Sequence, residues 1–235
     1  MPYRLLTEFE HLFNGHPYRH RDSSRGDFVA THLYEDIVTL NKSTKLGSRI
    51  ALKEWVLNTA NTRQGIKARR GDGTLGEIVP GEVPITDPGF RVSRGKVATV
   101  EIGIEVKILA KAMIKQIDRV ISDLQKQVAH FRRGSGTPIC VAIVGINHAQ
   151  YCTSYEGTRA FKTDGRGNRH PYQEAEEARR RLVVDAAPHF DEFITLPYDA
   201  TNEPPFPFAW VNYLLTDQNY GSALLRMCRE YDRRF

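Results

Sequence analysis

A chain of 235 residues, 40% hydrophobic and 26% charged, can bury one sizeable core and is too apolar to remain a disordered polymer. No run approaches the roughly 18 apolar residues of a spanning helix, and Met1-Pro2-Tyr3-Arg4 lacks the basic-then-apolar pattern of a signal peptide, so a cytoplasmic location without a membrane partner is expected. Lys and Arg outnumber Asp and Glu by 33 to 28, a net +5, and the three cysteines (Cys140, Cys152, Cys228) are too few and too scattered for a disulfide framework or a zinc knuckle.

In chain order, Asp27 to Thr39 and Arg49 to Asn58 carry apolar residues at helical spacing and predict helices. A turn-rich stretch from Gly71-Asp72-Gly73 to Pro80-Gly81 suggests hairpin strands, and Val83 to Thr86 reads as a further short strand ending at Asp87. From Ala98 to Ile108 every even position is apolar, while the odd positions are Thr99, Glu101, Gly103, Glu105 and Lys107. Strict period-two alternation defines a half-buried strand, on which Glu105 and Lys107 point the same way.

Met113, Ile117, Val120, Ile121, Leu124, Val128 and Phe131 then recur every three or four residues, which predicts a long amphipathic helix. After Gly134-Ser135-Gly136, the nearly unbroken apolar run Ile139 to Ile146 predicts a strand buried on both faces. Beyond His148 a charged helix over Tyr172 to Ala187, a short strand over Phe193 to Leu196 and a last helix ending near Arg234 are expected as an extension. The expected fold is therefore α/β, a single domain over 1–235 with a mixed sheet and helices on both faces, its core at about 28–147 and a C-terminal α/β extension over 148–235.

The polar face of the alternating strand carries the chemistry. Two carboxylates from neighbouring strands can hold Mg²⁺, which takes oxygen ligands and bridges phosphates, and a lysine two residues after one of them projects from the same face about 7 Å along. Glu105-Val106-Lys107 meets that pattern, with Asp87 as the second carboxylate if its strand lies alongside. Asp72 and Glu77 can take the place of Asp87, although turn chemistry is the more ordinary role for both. Glu101 lies about 13 Å along the strand from Glu105, too far to share an ion.

No histidine pair has HxH, HxxxH or HExxH spacing, and no GxSxG elbow or phosphate loop is present. Basic residues cluster at Arg69 and Arg70, at Arg91 and Arg94, and at Arg132 and Arg133, the footprint expected for phosphate backbones, although each cluster alone also fits a solvated face. The tail aromatics Phe206, Phe208, Trp210, Tyr213 and Tyr220 fit core packing better than base stacking.

On Asp87, Glu105-Val106-Lys107, the helix after them and the strand Ile139 to Ile146, the chain resembles the PD-(D/E)XK, or restriction-endonuclease-like, nuclease superfamily over roughly Phe28 to Asn147. The order Asp87-Pro88, with Thr86 in front, departs from the family's usual proline before the acid. The resemblance implies a Mg²⁺-dependent DNA endonuclease, with Mn²⁺ substituting, in which Asp87, Glu105 and the Val106 carbonyl hold the metal, Lys107 assists, and Glu35 joins from the first helix. It also implies a role in restriction or defence, a homodimer if both strands of a duplex are cut, and a second protein where a defence system supplies the targeting. The alternatives are a nuclease for RNA or for DNA repair, and a non-catalytic nucleic-acid-binding subunit of a larger complex.

Overall fold

In the computed structural model, which describes residues 2–20, 24–58, 62–63, 66–67, 71–133, 136–156, 158–166 and 171–235, the longest apolar segments lie at the centre of a seven-stranded mixed sheet. Helices α1 (Arg4–His11), α2 (Ser24–Leu40) and α3 (Thr44–Ala51) precede β1 (Trp55–Asn58), and the two-residue strands β2 (Thr62–Arg63) and β3 (Ile66–Lys67) pair as a separate ribbon. Then come β4 (Gly73–Glu77), β5 (Arg94–Gly95), β6 (Ile102–Leu109), α4 (Met113–Phe131) and β7 (Ile139–Asn147). The hairpin β8 (Thr153–Glu156) and β9 (Arg159–Lys162) stands apart from the main sheet. It is followed by α5 (Ala175–Arg181), β10 (Glu192–Asp199), β11 (Ala209–Trp210) and α6 (Tyr213–Arg234).

The sheet order is β11-β10-β7-β6-β4-β1-β5. Strands β1, β4 and β6 form an antiparallel meander, α4 crosses over, and β6, β7 and β10 run parallel. Ile102, Ile104 and Val106 of β6 pack into the main core with α1, α2 and α6, whereas Ala142, Val144 and Ile146 of β7 meet Met113, Ile117, Ile121 and Leu124 of α4 on the other face. All nine residues of β7 are buried, as expected for a strand covered by helices on both sides. The architecture is α/β with a mixed sheet. Among the described residues no helix is long and apolar enough to cross a membrane.

Three expectations change. Arg49 to Asn58 is not one helix: α3 stops at a Schellman closure, in which Lys53 adopts φ 59° and the Glu54 N–H donates to the Arg49 carbonyl at 3.1 Å. Trp55 to Leu57 then pair with Glu77 to Leu75 as β1, because cross-strand partners override the helical periodicity. Val83 to Thr86 does not flank β6; it contributes one isolated bridge, Ile85 to Arg94, beyond β5 at the far edge. The tail completes the sheet, since β10 pairs with β7 over seven residue pairs and α6 buries Tyr220, Leu224, Met227 and Tyr231 in the main core.

Candidate active site

Strand β6 organises the site. With its even residues committed to the main core, Gly103, Glu105 and Lys107 face α4, beside Cys140, Ala142 and Val144 of β7. Glu105 is 3% exposed, and its Oε1 accepts from Lys107 Nζ at 2.6 Å. Next to them, at the entrance to β4, the Asp72 N–H donates to the Ile104 carbonyl at 3.1 Å, and Asp72 Oδ2 accepts from the Val106 N–H at 2.7 Å. The Asp72 carboxylate is thereby fixed at the backbone between Glu105 and Lys107.

Burial pushes the Asp72 carboxyl up to about 7, and the neighbouring Glu105 carboxylate adds to the rise; the Val106 N–H and the Lys107 ammonium oppose it. Asp27, in the first turn of α2, adds further negative field. Two carboxylates, Asp72 and Glu105, thus lie beside the Lys107 ammonium, with Asp27 within electrostatic reach of Asp72.

Small residues make this convergence possible. A Cβ on Gly26 of α2 would lie 2.3 Å from Asp72 Oδ1, so only glycine lets the helix backbone come this close to the carboxylate. On the α4 side, Cβ atoms on Gly71 and Gly103 would each fall 2.6 Å from the Phe131 ring, which therefore rests directly on the backbone beside the site. Gly71 also adopts φ 69°, a region that disfavours other residues.

The anticipated constellation is rearranged. Asp87 is half-buried at the surface and forms a two-pronged ion pair with Arg94, Nε to Oδ2 and Nη2 to Oδ1 both at 2.7 Å. Arg94 lies in β5, and β4 and β1 separate β5 from β6, which puts about 14 Å of sheet between that edge and Glu105. Asp72 replaces Asp87 beside Glu105 because β4, not the Val83–Thr86 segment, is the hydrogen-bonded neighbour of β6. Glu35 also falls away from the cluster: its Oε1 accepts the Arg91 and Val92 N–H groups, each at 2.8 Å, and Oε2 lies 3.8 Å from Arg4. It stands eight residues after Asp27, about 12 Å along α2.

Val106 contributes its N–H to Asp72 and lies between the two charged residues of its strand. Arg132 and Arg133 are exposed at the end of α4, directly after the Phe131 that packs over Gly71 and Gly103. Arg91 is exposed, and Arg94 is occupied by Asp87. Arg69 and Arg70 lie outside the described residues. Glu101 is buried and accepts from Trp55 Nε1 at 2.6 Å and Tyr231 Oη at 2.5 Å, a structural tie between β1 and α6. Gln116 is exposed on α4. Burial pushes the Cys140 and Cys228 thiols up to about 11 and Cys152 to about 12, which keeps all three protonated.

Sequence reasoning misses Asp27 and places Asp72 behind Asp87. The available signal was Gly71-Asp72-Gly73, an acid between two glycines at the mouth of the hairpin stretch. Among the described residues no group of three or more His, Cys, Asp or Glu side chains is gathered as a ready metal site. The arrangement offers two side-chain carboxylates, Asp72 and Glu105, the kind of oxygen donor that a hard divalent cation takes. Comparison with family models, curated proteins and solved structures finds no match.

Proposed function

We propose that the chain is a metal-dependent nuclease that hydrolyses phosphodiester bonds in DNA, built on a restriction-endonuclease-like core with Asp72 in the position expected of Asp87. The observation that carries this reading is the hydrogen bond from the Val106 N–H to Asp72 Oδ2, which joins the carboxylate on the entrance to β4 to the Glu105–Lys107 pair on β6. The meander β1-β4-β6, the crossover helix α4 and the parallel strand β7 support the same reading.

Asp72 and Glu105, with the Val106 carbonyl, are the groups that would hold Mg²⁺ or Mn²⁺. When bound, such an ion lowers the pKa of a coordinated water and neutralises charge on the phosphate. The chain's own contribution is positional. The backbone holds the Asp72 carboxylate through Val106, and Glu105 holds the Lys107 ammonium on the phosphate side of the strand. Lys107 then orients the attacking water by hydrogen bonding and stabilises negative charge on the non-bridging oxygens. The exposed Arg132 and Arg133 supply phosphate contacts beside the cluster.

Under this reading, restriction or defence in a microbial cytoplasm is the natural setting. A homodimer would permit both strands of a duplex to be cut, and a second protein of a defence system could direct the enzyme to its target. The test is cleavage of supercoiled plasmid in Mg²⁺ or Mn²⁺, with an EDTA control. Metal-dependent nicking should be lost in Asp72→Asn, Glu105→Ala and Lys107→Ala and kept in Asp87→Ala. Retained nicking in Glu105→Ala would sink the assignment. Nucleic-acid binding with no cleavage of plasmid, single strands or RNA would favour the non-catalytic subunit, and cleavage confined to RNA would favour a processing enzyme.

A further inference from the structure

The hairpin β8–β9 is a two-stranded ribbon outside the main sheet, and its attachments place it over the exit of the strand that carries Glu105 and Lys107. Lys111, two residues beyond β6, donates to Ser154 Oγ at 2.5 Å and pairs with Glu156 at 3.3 Å. From the other side, Asn202 Nδ2 donates to the Thr153 carbonyl at 2.6 Å, and Glu203 accepts from Thr153 Oγ1 at 2.7 Å and from Lys162 at 3.0 Å. The base of the ribbon is thereby tied to the ends of both β6 and β10.

Register decides which residues the ribbon presents. Ser154 stands opposite Phe161 and Glu156 opposite Arg159, and residues directly opposite in an antiparallel pair share a face. The face that meets Lys111 therefore also carries Phe161 and Arg159. Ser154 is fully buried there, whereas Arg159, Ala160 and Phe161 are exposed, and Arg159 makes no ion pair among the described residues. Charged neighbours at the base are already satisfied, Glu156 by Lys111 and Glu203 by Lys162. Arg159 is left as an exposed cation on the ribbon.

We propose that β8–β9 is a duplex-reading element that enters the major groove of DNA and presents Arg159 to base edges or flanking phosphates while β6 addresses the backbone. This rests on the nuclease reading for its purpose, and it names double-stranded DNA as the substrate form. The dimensions agree. The major groove is about 12 Å wide and admits a two-stranded ribbon. Lys111 lies four residues beyond Lys107, at most about 13 Å along the chain, so the ribbon's base and the phosphate-facing lysine can engage one duplex together. Arginine is the side chain best suited to paired acceptors on guanine.

Binding measured in EDTA separates this proposal from catalysis. The full chain is titrated against a fluorescent random-sequence duplex and a single strand of equal length, with Arg159→Ala, Arg159→Lys and, as a control on the exposed side of α4, Lys115→Ala. Arg159→Ala should weaken duplex binding about tenfold. Single-strand binding and Lys115→Ala should stay near wild type, with Arg159→Lys intermediate. Duplex affinity unchanged in Arg159→Ala, an equal loss on the single strand, or a wild type that binds no duplex would each overturn the proposal. Failed cleavage together with an Arg159-dependent duplex preference would overturn the nuclease reading alone.

Discussion

Asp72 and Val106 are joined by a 2.7 Å hydrogen bond from a backbone N–H to a carboxylate, and that bond lies between the two charged residues of β6. It sets a second acid beside Glu105 although the two acids are 33 positions apart in sequence. The pairing has an electrostatic consequence that can be measured without any substrate.

Asp72→Asn should abolish cleavage in Mg²⁺, yet in EDTA it should stabilise the protein at neutral and alkaline pH. The folded-state value of Asp72 is raised from 3.8 to about 7. Between those values the folded protein holds a proton that the unfolded chain has released, so stability falls as pH rises across that window. Below about pH 4 both states are protonated and the penalty is absent. The Tm advantage of Asp72→Asn should therefore be near zero at pH 4, grow towards pH 7 and level off above it, at about 2–4 °C for each kcal/mol relieved. An advantage independent of pH would show that the Asp72 carboxyl is not raised.

Glu35→Ala should behave as a structural lesion. It removes the acceptor of the Arg91 and Val92 N–H groups, and a lost buried bond to a charged group costs about 2–3 kcal/mol. Urea unfolding should show that loss, while Mn²⁺ affinity measured at a temperature where the variant is folded should match wild type. Lost Mn²⁺ binding in a folded variant would return Glu35 to the metal cluster.

Asp87→Ala should leave both stability and cleavage close to wild type. The Arg94–Asp87 pair is exposed on both sides, and such pairs contribute about 0–1 kcal/mol. Chemical denaturation together with the plasmid assay checks both statements, and a variant that is stable but inactive would contradict the present assignment.

Gly103→Ala should cost about 1–3 kcal/mol by overpacking, because the new Cβ falls 2.6 Å from the Phe131 ring. In a double-mutant cycle, Phe131→Leu should recover part of that loss, which thermal melts of the four proteins would reveal. Simple additivity would mean that the ring moves aside without strain.

Local periodicity was enough to locate half of the candidate site. Alternation from Ala98 to Ile108 put Glu105 and Lys107 on one face, since successive strand residues must point to opposite sides, although the strand itself starts only at Ile102. The apolar spacing from Met113 to Phe131 and the unbroken run from Ile139 marked α4 and β7 for the same kind of reason. The identity of the second acid depended instead on which strand lies beside β6, a non-local choice. Residues 82–95 run to the opposite edge of the sheet, build it through β5, and carry Asp87 with them, while the short β4 pairs Gly73 with Ile104. Asp27 comes within electrostatic reach of Asp72 because glycine at position 26 lets α2 approach it, a contact between elements that no sequence spacing encodes. The sequence by itself determined the strand that bears Glu105 and Lys107, because side-chain direction follows from backbone geometry; only the tertiary structure decided which carboxylates meet them, because strand pairing and helix docking depend on contacts across the whole fold.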